Sequence, residues 1–212
     1  MQATLTAVCV GRSQAAAWAG RLGRSAIDKR PVAGPVRVTG MGLEGDEQAD
    51  REHHGGVDQA LYAYGQDDAD HWAAALDREL RPGAFGENLR IAGLDVSDAR
   101  VGERWSIGRD VVVEVSAPRI PCRVFAGFWD VPDLVSRFIS AGRPGAYLRV
   151  VAPGAVTAGD RVRVVARPDH DVSVAHMMRV LTTDRGKAAS LLAAGDALNE
   201  ATRAWVAQRL GR

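Results

Sequence analysis

The chain has 212 residues, 46% hydrophobic and 25% charged, with a net charge of +1. That length can bury one main core with a small appendage. The near-neutral charge excludes a general electrostatic drive toward a nucleic acid polymer or an anionic membrane. Two cysteines, Cys9 and Cys122, cannot build a disulfide framework and fit a reducing compartment. The start lacks a basic stretch followed by an apolar one, and no apolar run reaches membrane-spanning length, so the cytoplasm is the expected location.

From residue 1 to about 167 the pattern is short apolar runs broken by Gly and Pro. Leu5 to Val10, Val36 to Thr39, Ala60 to Tyr64, Asn88 to Ile91, Val111 to Val115, Ala146 to Val151 and Arg161 to Val165 read as strands. Their close turn signals predict a mostly antiparallel barrel or sandwich. In the last run, Val162 and Val164 are placed on one face and Arg161 and Arg163 on the other. Gln66 to Leu80 reads as a helix with Asp67, Asp68 and Asp70 at its electropositive start and a stripe of Trp72, Leu76 and Leu80. Pro132 to Ser140 reads as a shorter helix stopped by Gly142.

After Pro168 the β-branched runs give way to Ala, Leu and charges. Three helices are predicted, at about Ser173 to Leu181, Arg185 to Ala193 and Asp196 to Leu210. Ser173 and Asp184 are the candidate caps, and Gly195 is the separator. The expected organisation is therefore a β-rich domain at 1–167 and a helical module at 168–212, an α+β chain overall. The helical module is too small to be an enzyme alone. A dimerisation, substrate-covering or docking role suits it equally well, and its apolar faces suit a homodimer, the commonest closed oligomer.

Cys122 carries the strongest chemical signal. It stands in Ser116-Ala117-Pro118-Arg119-Ile120-Pro121-Cys122-Arg123, directly after a strand. Arg119 and Arg123 favour the thiolate, the form that attacks electrophiles and binds soft metals. A buried inert thiol is the plain alternative.

A second focus is Gly42 to Asp58, with six acidic residues, two histidines and four glycines in 17 positions. So polar a run cannot be a core strand, and its glycines let backbone approach a ligand. Gly40 to Gly45 spells GxGxxG after a strand, but no apolar helix opens there, so the match is read as coincidental. Adjacent His53 and His54 point opposite ways in extended chain and do not make a zinc site; one of them suits a proton donor. Gly83-Ala84-Phe85-Gly86-Glu87-Asn88-Leu89 offers a carboxylate and an amide beside a turn. Arg24, Lys29 and Arg30 form a basic stretch able to hold phosphate.

Taken in order, these segments resemble the MOSC family, named for the C-terminal domain of molybdenum cofactor sulfurases. They are most similar to its stand-alone YiiM-like branch. The resemblance runs through Ser25-Ala26-Ile27 with Lys29 and Gly42-Leu43-Glu44-Gly45-Asp46 with His54-Gly55-Gly56, Asp58 and Ala60. It continues in Phe85-Gly86-Glu87-Asn88-Leu89, Pro118-Arg119 with Pro121-Cys122, Gly145, and Pro153-Gly154. The final helices resemble the three-helix module of that branch.

The resemblance implies a MOSC β-barrel, a molybdenum cofactor (molybdopterin), and reduction of N-hydroxylated compounds such as hydroxylaminopurines and amidoximes. It implies Cys122 as metal ligand and catalytic residue, with His54 beside the cofactor as a catalytic proton source. Lys29 and Arg119 hold the anionic cofactor, and Asp46, Asp58, Glu87 and Asn88 shape its site. Arg123 after the cysteine and the doubled His53 depart from the pattern. The chain has no convincing dinucleotide site and no iron–sulfur cysteine set, so a separate electron-donating reductase is expected. The competing readings are a non-catalytic cofactor or sulfur carrier using Cys122, an interaction module in which the cysteine is incidental, and, furthest behind, a thiol hydrolase.

Overall fold

The computed structural model describes residues 2–49 and 55–211. In chain order the strands are β1 (Thr4–Val10), β2 (Gln14–Ala15), β3 (Arg24–Ser25), β4 (Arg30–Pro31), β5 (Val36–Thr39), β6 (Gly42–Leu43) and β7 (Leu61–Gly65). They continue with β8 (Leu89–Ala92), β9 (Arg104–Ile107), β10 (Val111–Pro118), β11 (Ala146–Ala152), β12 (Gly154–Val156) and β13 (Val162–Ala166). The helices are α1 (Gln66–Leu76), α2 (Arg123–Trp129), α3 (Leu134–Ala141), α4 (Val174–Thr182) and α5 (Glu200–Arg209). Segments Ala17–Leu22, Val57–Gln59 and Arg185–Ala197 are 3₁₀.

Among the described residues, eight strands form one sheet in the order β13-β9-β10-β11-β7-β8-β1-β4. Its pairs are antiparallel except β7 with β8. A small sheet, β12-β5-β6, sits beside it.

The large sheet does not close into the expected barrel. The β13 edge meets β1, the strand next to the other edge, at one bridge, Thr4 with Arg161, flanked by Leu5 N–H to Asp160 O at 2.8 Å and Val162 N–H to Ala3 O at 3.0 Å. The cause lies in β1. Its C-terminal end is already paired with β4 through Cys9–Pro31 and Val10–Arg30, leaving only its start to meet β13. β13 then runs off into solvent. Val162 is buried, but Val164 and Val165 are exposed, so the predicted alternation stops after one residue.

Two cores flank the sheet. The larger is aliphatic, holding Leu5, Leu89, Val113 and Leu148 with Trp105. Val174, Met177, Val180, Leu191 and Val206 from the helical tail belong to the same cluster. The smaller is aromatic. Trp72 of α1, Phe125 and Trp129 of α2 and Phe138 of α3 close on Tyr62, Tyr64 and Phe85. Its rings meet in tilted and stacked pairs, such as Tyr64–Phe85 with centroids 4.2 Å apart.

Several boundaries moved from expectation for local reasons. α1 ends at Leu76, four residues early, because Asp77 takes a left-handed conformation and turns its N–H back onto Ala73 and Ala74. Asp68 in its first turn is buried and bound to Ser97 Oγ at 2.6 Å and Arg143 at 2.6 Å. Gly142 ends α3 as expected, and Ser173 caps α4 by accepting from His176 N–H. Asp184 makes no such cap. Asn199 is the cap of α5, accepting from Thr202 N–H at 2.8 Å. The GxGxxG segment forms the β5–β6 hairpin, with no helix opening at its glycines.

Candidate functional site

One cavity collects most of the chemistry flagged in the sequence. Its enclosed space is about 140 Å³, and it opens to solvent. Lys29, Asp46, Asn88, Arg119 and Cys122 all line it. These come from four separate places in the chain, and each is fixed differently.

Cys122 stands immediately before the first turn of α2, at the electropositive end of that short helix. Strand β10 delivers it, ending at Pro118. Arg119 follows, 6% exposed, with its guanidinium 4.1 Å over the Phe125 ring and 6.0 Å from that of Tyr62. Its Nη1 is buried and has no hydrogen-bond acceptor among the described residues. A buried donor left unpaired costs roughly 1–3 kcal/mol. A charged group held at that cost beside an open cavity fits an anionic ligand.

Lys29 is 7% exposed and its ammonium is paired with Asp46. Asp46 also accepts from Gly11 N–H at 2.7 Å, and its second oxygen accepts from Asn88 Nδ2 at 2.9 Å. Asn88 is the junction. Its Oδ1 accepts from Tyr62 N–H at 3.1 Å and its Nδ2 also donates to Cys9 O at 3.2 Å. One amide thereby locks β1, β7 and the Asp46 loop together.

Glu87 is fully buried and does not line the cavity. Its two oxygens accept from Gly83 N–H at 2.7 Å and Phe85 N–H at 2.9 Å, and the Arg90 guanidinium pairs with it at 2.5 Å. It therefore shapes the Gly83–Gly86 turn. Gly83 has φ +85°, and a Cβ there would lie 2.2 Å from Lys29 O, so only glycine lets this turn pack on the backbone of Lys29. Arg81 grips the same carbonyl at 2.5 Å and pairs with Asp28. Glu87 thus acts on the site through Lys29.

Asp58 is also outside the lining. Its carboxylate pairs with Arg149. His53 and His54 lie outside the described residues, together with Asp50, Arg51 and Glu52. Gly55, which follows them, does line the cavity.

Sequence reasoning missed the aromatic walls. Tyr62, Phe85 and Tyr147 line the cavity, with Tyr62 and Tyr147 rings 5.2 Å apart. Burial pushes the ionisation of both tyrosines up, so the walls stay neutral. Both lie on strands, where they read as ordinary core. The only available signal was that two polar-tipped aromatics fall in strands pairing directly, Tyr147 opposite Tyr62.

Among the described residues no group of three or more His, Cys, Asp or Glu side chains could hold a metal ion. Among the described residues the cavity offers a thiol sulfur, the buried Arg119 guanidinium and the Lys29 ammonium paired with Asp46. That set suits a metal arriving with most of its ligands in an anionic organic cofactor, completed by one thiolate.

The comparisons agree in class. The MOSC domain profile matches residues 50–163. Protein YiiM of Escherichia coli (strain K12) is 37% identical over 155 residues, covering 71% of this chain and 67% of its own. A protein called "Reductase" from Gibberella moniliformis is 34% identical over 180 residues, 84% of this chain; this chain spans only 32% of that protein. The crystal structure of YiiM from Geobacillus stearothermophilus superposes with a TM-score of 0.81 at 29% identity, covering 98% of this chain and 99% of that one. This open, mostly antiparallel sheet with its cysteine-bearing cavity is a MOSC fold. The chain belongs to the MOSC domain family, and its relatives include the YiiM proteins.

Among the described residues no helix is long and apolar enough to cross a membrane.

Proposed function

We propose that this chain is a molybdenum-cofactor-dependent oxidoreductase that reduces N-hydroxylated compounds, of the hydroxylaminopurine or amidoxime type. The observation that carries the reading is the convergence of Cys122, Arg119 and Lys29 on one cavity in a MOSC fold. The reductase name of the fungal relative supports the oxidoreductase class.

Cys122 is the metal ligand in this reading, its sulfur held at the start of α2. Arg119 binds the anionic part of the cofactor with the donor that the protein leaves unpaired. Lys29, its charge balanced by Asp46, offers a further N–H donor to the anion. Tyr62 and Tyr147 form neutral walls that take a flat ring and exclude water. His54 supplies a proton. When bound, the molybdenum cofactor supplies the two-electron, oxygen-accepting chemistry that none of these side chains performs. The net reaction consumes two electrons and two protons, breaks the N–O bond and releases water. The electrons come from a separate reductase.

The test is molybdenum content by elemental mass spectrometry, comparing wild type with Cys122→Ser from a host that makes the cofactor. Near-stoichiometric metal in the wild type, lost in the variant, is expected, together with turnover of a hydroxylaminopurine. Metal in neither protein, with the host's cofactor supply verified, overturns the reading in favour of a carrier without the metal.

A further inference from the structure

Arg149 sits on β11, with its side chain 21% exposed, and touches three separate elements. Its Nε pairs with Asp58 in the 3₁₀ turn Val57–Gln59. Its Nη1 donates to Glu114 on β10 at 2.8 Å, the residue directly opposite in the ladder. Nη1 and Nη2 both donate to Ala197 O, each at 3.2 Å. Ala197 ends the 3₁₀ segment of the helical tail. The guanidinium is a rigid planar fork, so fixing it on one partner orients its bonds to the others.

The turn on the far side of this clasp belongs to the cavity. Gly55 and Gln59 both line it. Asp58 is held twice, its carboxylate by Arg149 and its main-chain oxygen by the fully buried Ser116 hydroxyl at 2.5 Å. Gln59 Oε1 in turn accepts from Gly55 N–H at 3.3 Å. On the tail side the packing is equally close. A Cβ on Gly102 would lie 2.8 Å from the Ala197 side chain, and neighbouring Leu198 is 2% exposed.

We propose that Arg149 is a positioning residue that couples the C-terminal helices to the Gly55–Gln59 wall of the cavity. The tail thereby serves the site from within its own chain, by fixing the wall through Arg149 and Asp58. Its consequence for turnover rests on the cavity being the reactive site; the mechanical coupling does not.

Hydrogen–deuterium exchange on the full-length chain, without cofactor, tests the coupling. Arg149→Gln is expected to speed exchange about tenfold in Gly55–Leu61 and in Leu198–Thr202 together, with Arg149→Lys falling between it and wild type. Asn199→Ala removes the cap of α5 on the tail side alone. It is expected to speed exchange at Gly55–Leu61 in the wild type and to add little in the Arg149→Gln background. Fraying of the tail by Asn199→Ala with Gly55–Leu61 left at wild-type rates overturns the proposal, as does an effect of Arg149→Gln on one segment only. Should Arg149→Gln fail to fold by circular dichroism, Asp58→Asn weakens the same bond from its exposed end and carries the same two outcomes. In cofactor-loaded protein, Arg149→Gln is expected to raise KM for a hydroxylaminopurine several-fold more than it lowers kcat, and Arg149→Lys to recover part of the loss. Absence of any turnover in loaded wild type bears on the proposed reaction and leaves the exchange result standing.

Discussion

Asn88 Nδ2 donates to Asp46 Oδ2 at 2.9 Å, and the other oxygen of that carboxylate holds the Lys29 ammonium. The Lys29 ammonium is thus placed by a side-chain amide two contacts away. Asn88 is 4% exposed and makes three such bonds, so nothing in solvent can replace it.

Asn88→Ala is therefore expected to destabilise the fold by about 2–3 kcal/mol, since it leaves Tyr62 N–H and Cys9 O without a partner. Asn88→Asp sets a second carboxylate against Asp46 and is expected to be worse. Urea midpoints of the two variants check the order. A midpoint for Asn88→Asp equal to wild type would show that the amide is not the junction.

Glu87 makes a different prediction from the one its sequence context suggested. It is paired with Arg90 at zero exposure on both sides. Glu87→Gln leaves the guanidinium buried without its counter-charge and is expected to cost about 3–5 kcal/mol. Because the effect on the site passes through Lys29, cofactor binding should fall only as far as the Gly83 turn loosens. Chemical denaturation set beside molybdenum content separates the two effects. Loss of metal with no loss of stability would make Glu87 a direct ligand-binding group after all.

Much of this site was legible because its residues are costly in any other role. A cysteine between prolines and arginines, a glycine-rich acidic run and a basic stretch do not build a core, and Cys122, Arg119, Lys29, Asp46 and Asn88 do line one cavity. Asp58 and Glu87 looked like the same kind of signal. Their partners, Arg149 and Arg90, lie on strands where the sequence gives no hint of an ion pair, partly buried in the first case and fully buried in the second. The closed barrel failed for a related reason. Strand content is local, but closure depends on which edge β4 occupies, a pairing across about 20 residues fixed by tertiary context. The strand Arg104–Ile107 hid in its polar flanks, although Trp105 and Ile107 are fully buried. Helix α2 hid behind Gly127, which weakens a helical pattern. A Cβ there would lie 3.0 Å from Trp18 O, and that close approach accounts for the glycine.

The two thiols should separate cleanly by chemistry. Burial pushes the Cys9 pKa up to about 12, and the side chain is fully enclosed. Cys122 is half-buried at the cavity. N-ethylmaleimide at pH 8 should label one site in the apo wild type and none in Cys122→Ser. The sign of the linkage for Cys9 follows from its raised folded-state value. The neutral thiol is the native form, so its contribution is fully present below the ordinary thiol pKa of 9.0 and is lost as pH climbs toward about 12. Stability measured from pH 8 to 11 should therefore fall more steeply in wild type than in Cys9→Ala. Equal slopes would mean that the thiol does not sense its burial.

Arg119 offers the sharpest contrast between stability and function. Keeping a guanidinium in the interior with Nη1 unpaired costs roughly 1–3 kcal/mol, offset by about 1–2 kcal/mol from the Phe125 ring beneath it. The two nearly cancel, so Arg119→Met, which keeps the length and loses the charge, should leave the thermal midpoint of the apo protein within a few degrees of wild type or raise it. The same variant should lose most of its molybdenum when made in a cofactor-producing host, because the removed donor is the one the fold does not use for itself. Arg119→Lys keeps charge without the fork and should retain an intermediate amount. The pair of measurements, melting of apo protein and metal per chain, distinguishes this from a packing role. A residue kept for packing would lose stability and metal together, whereas a residue kept for an anion loses metal alone.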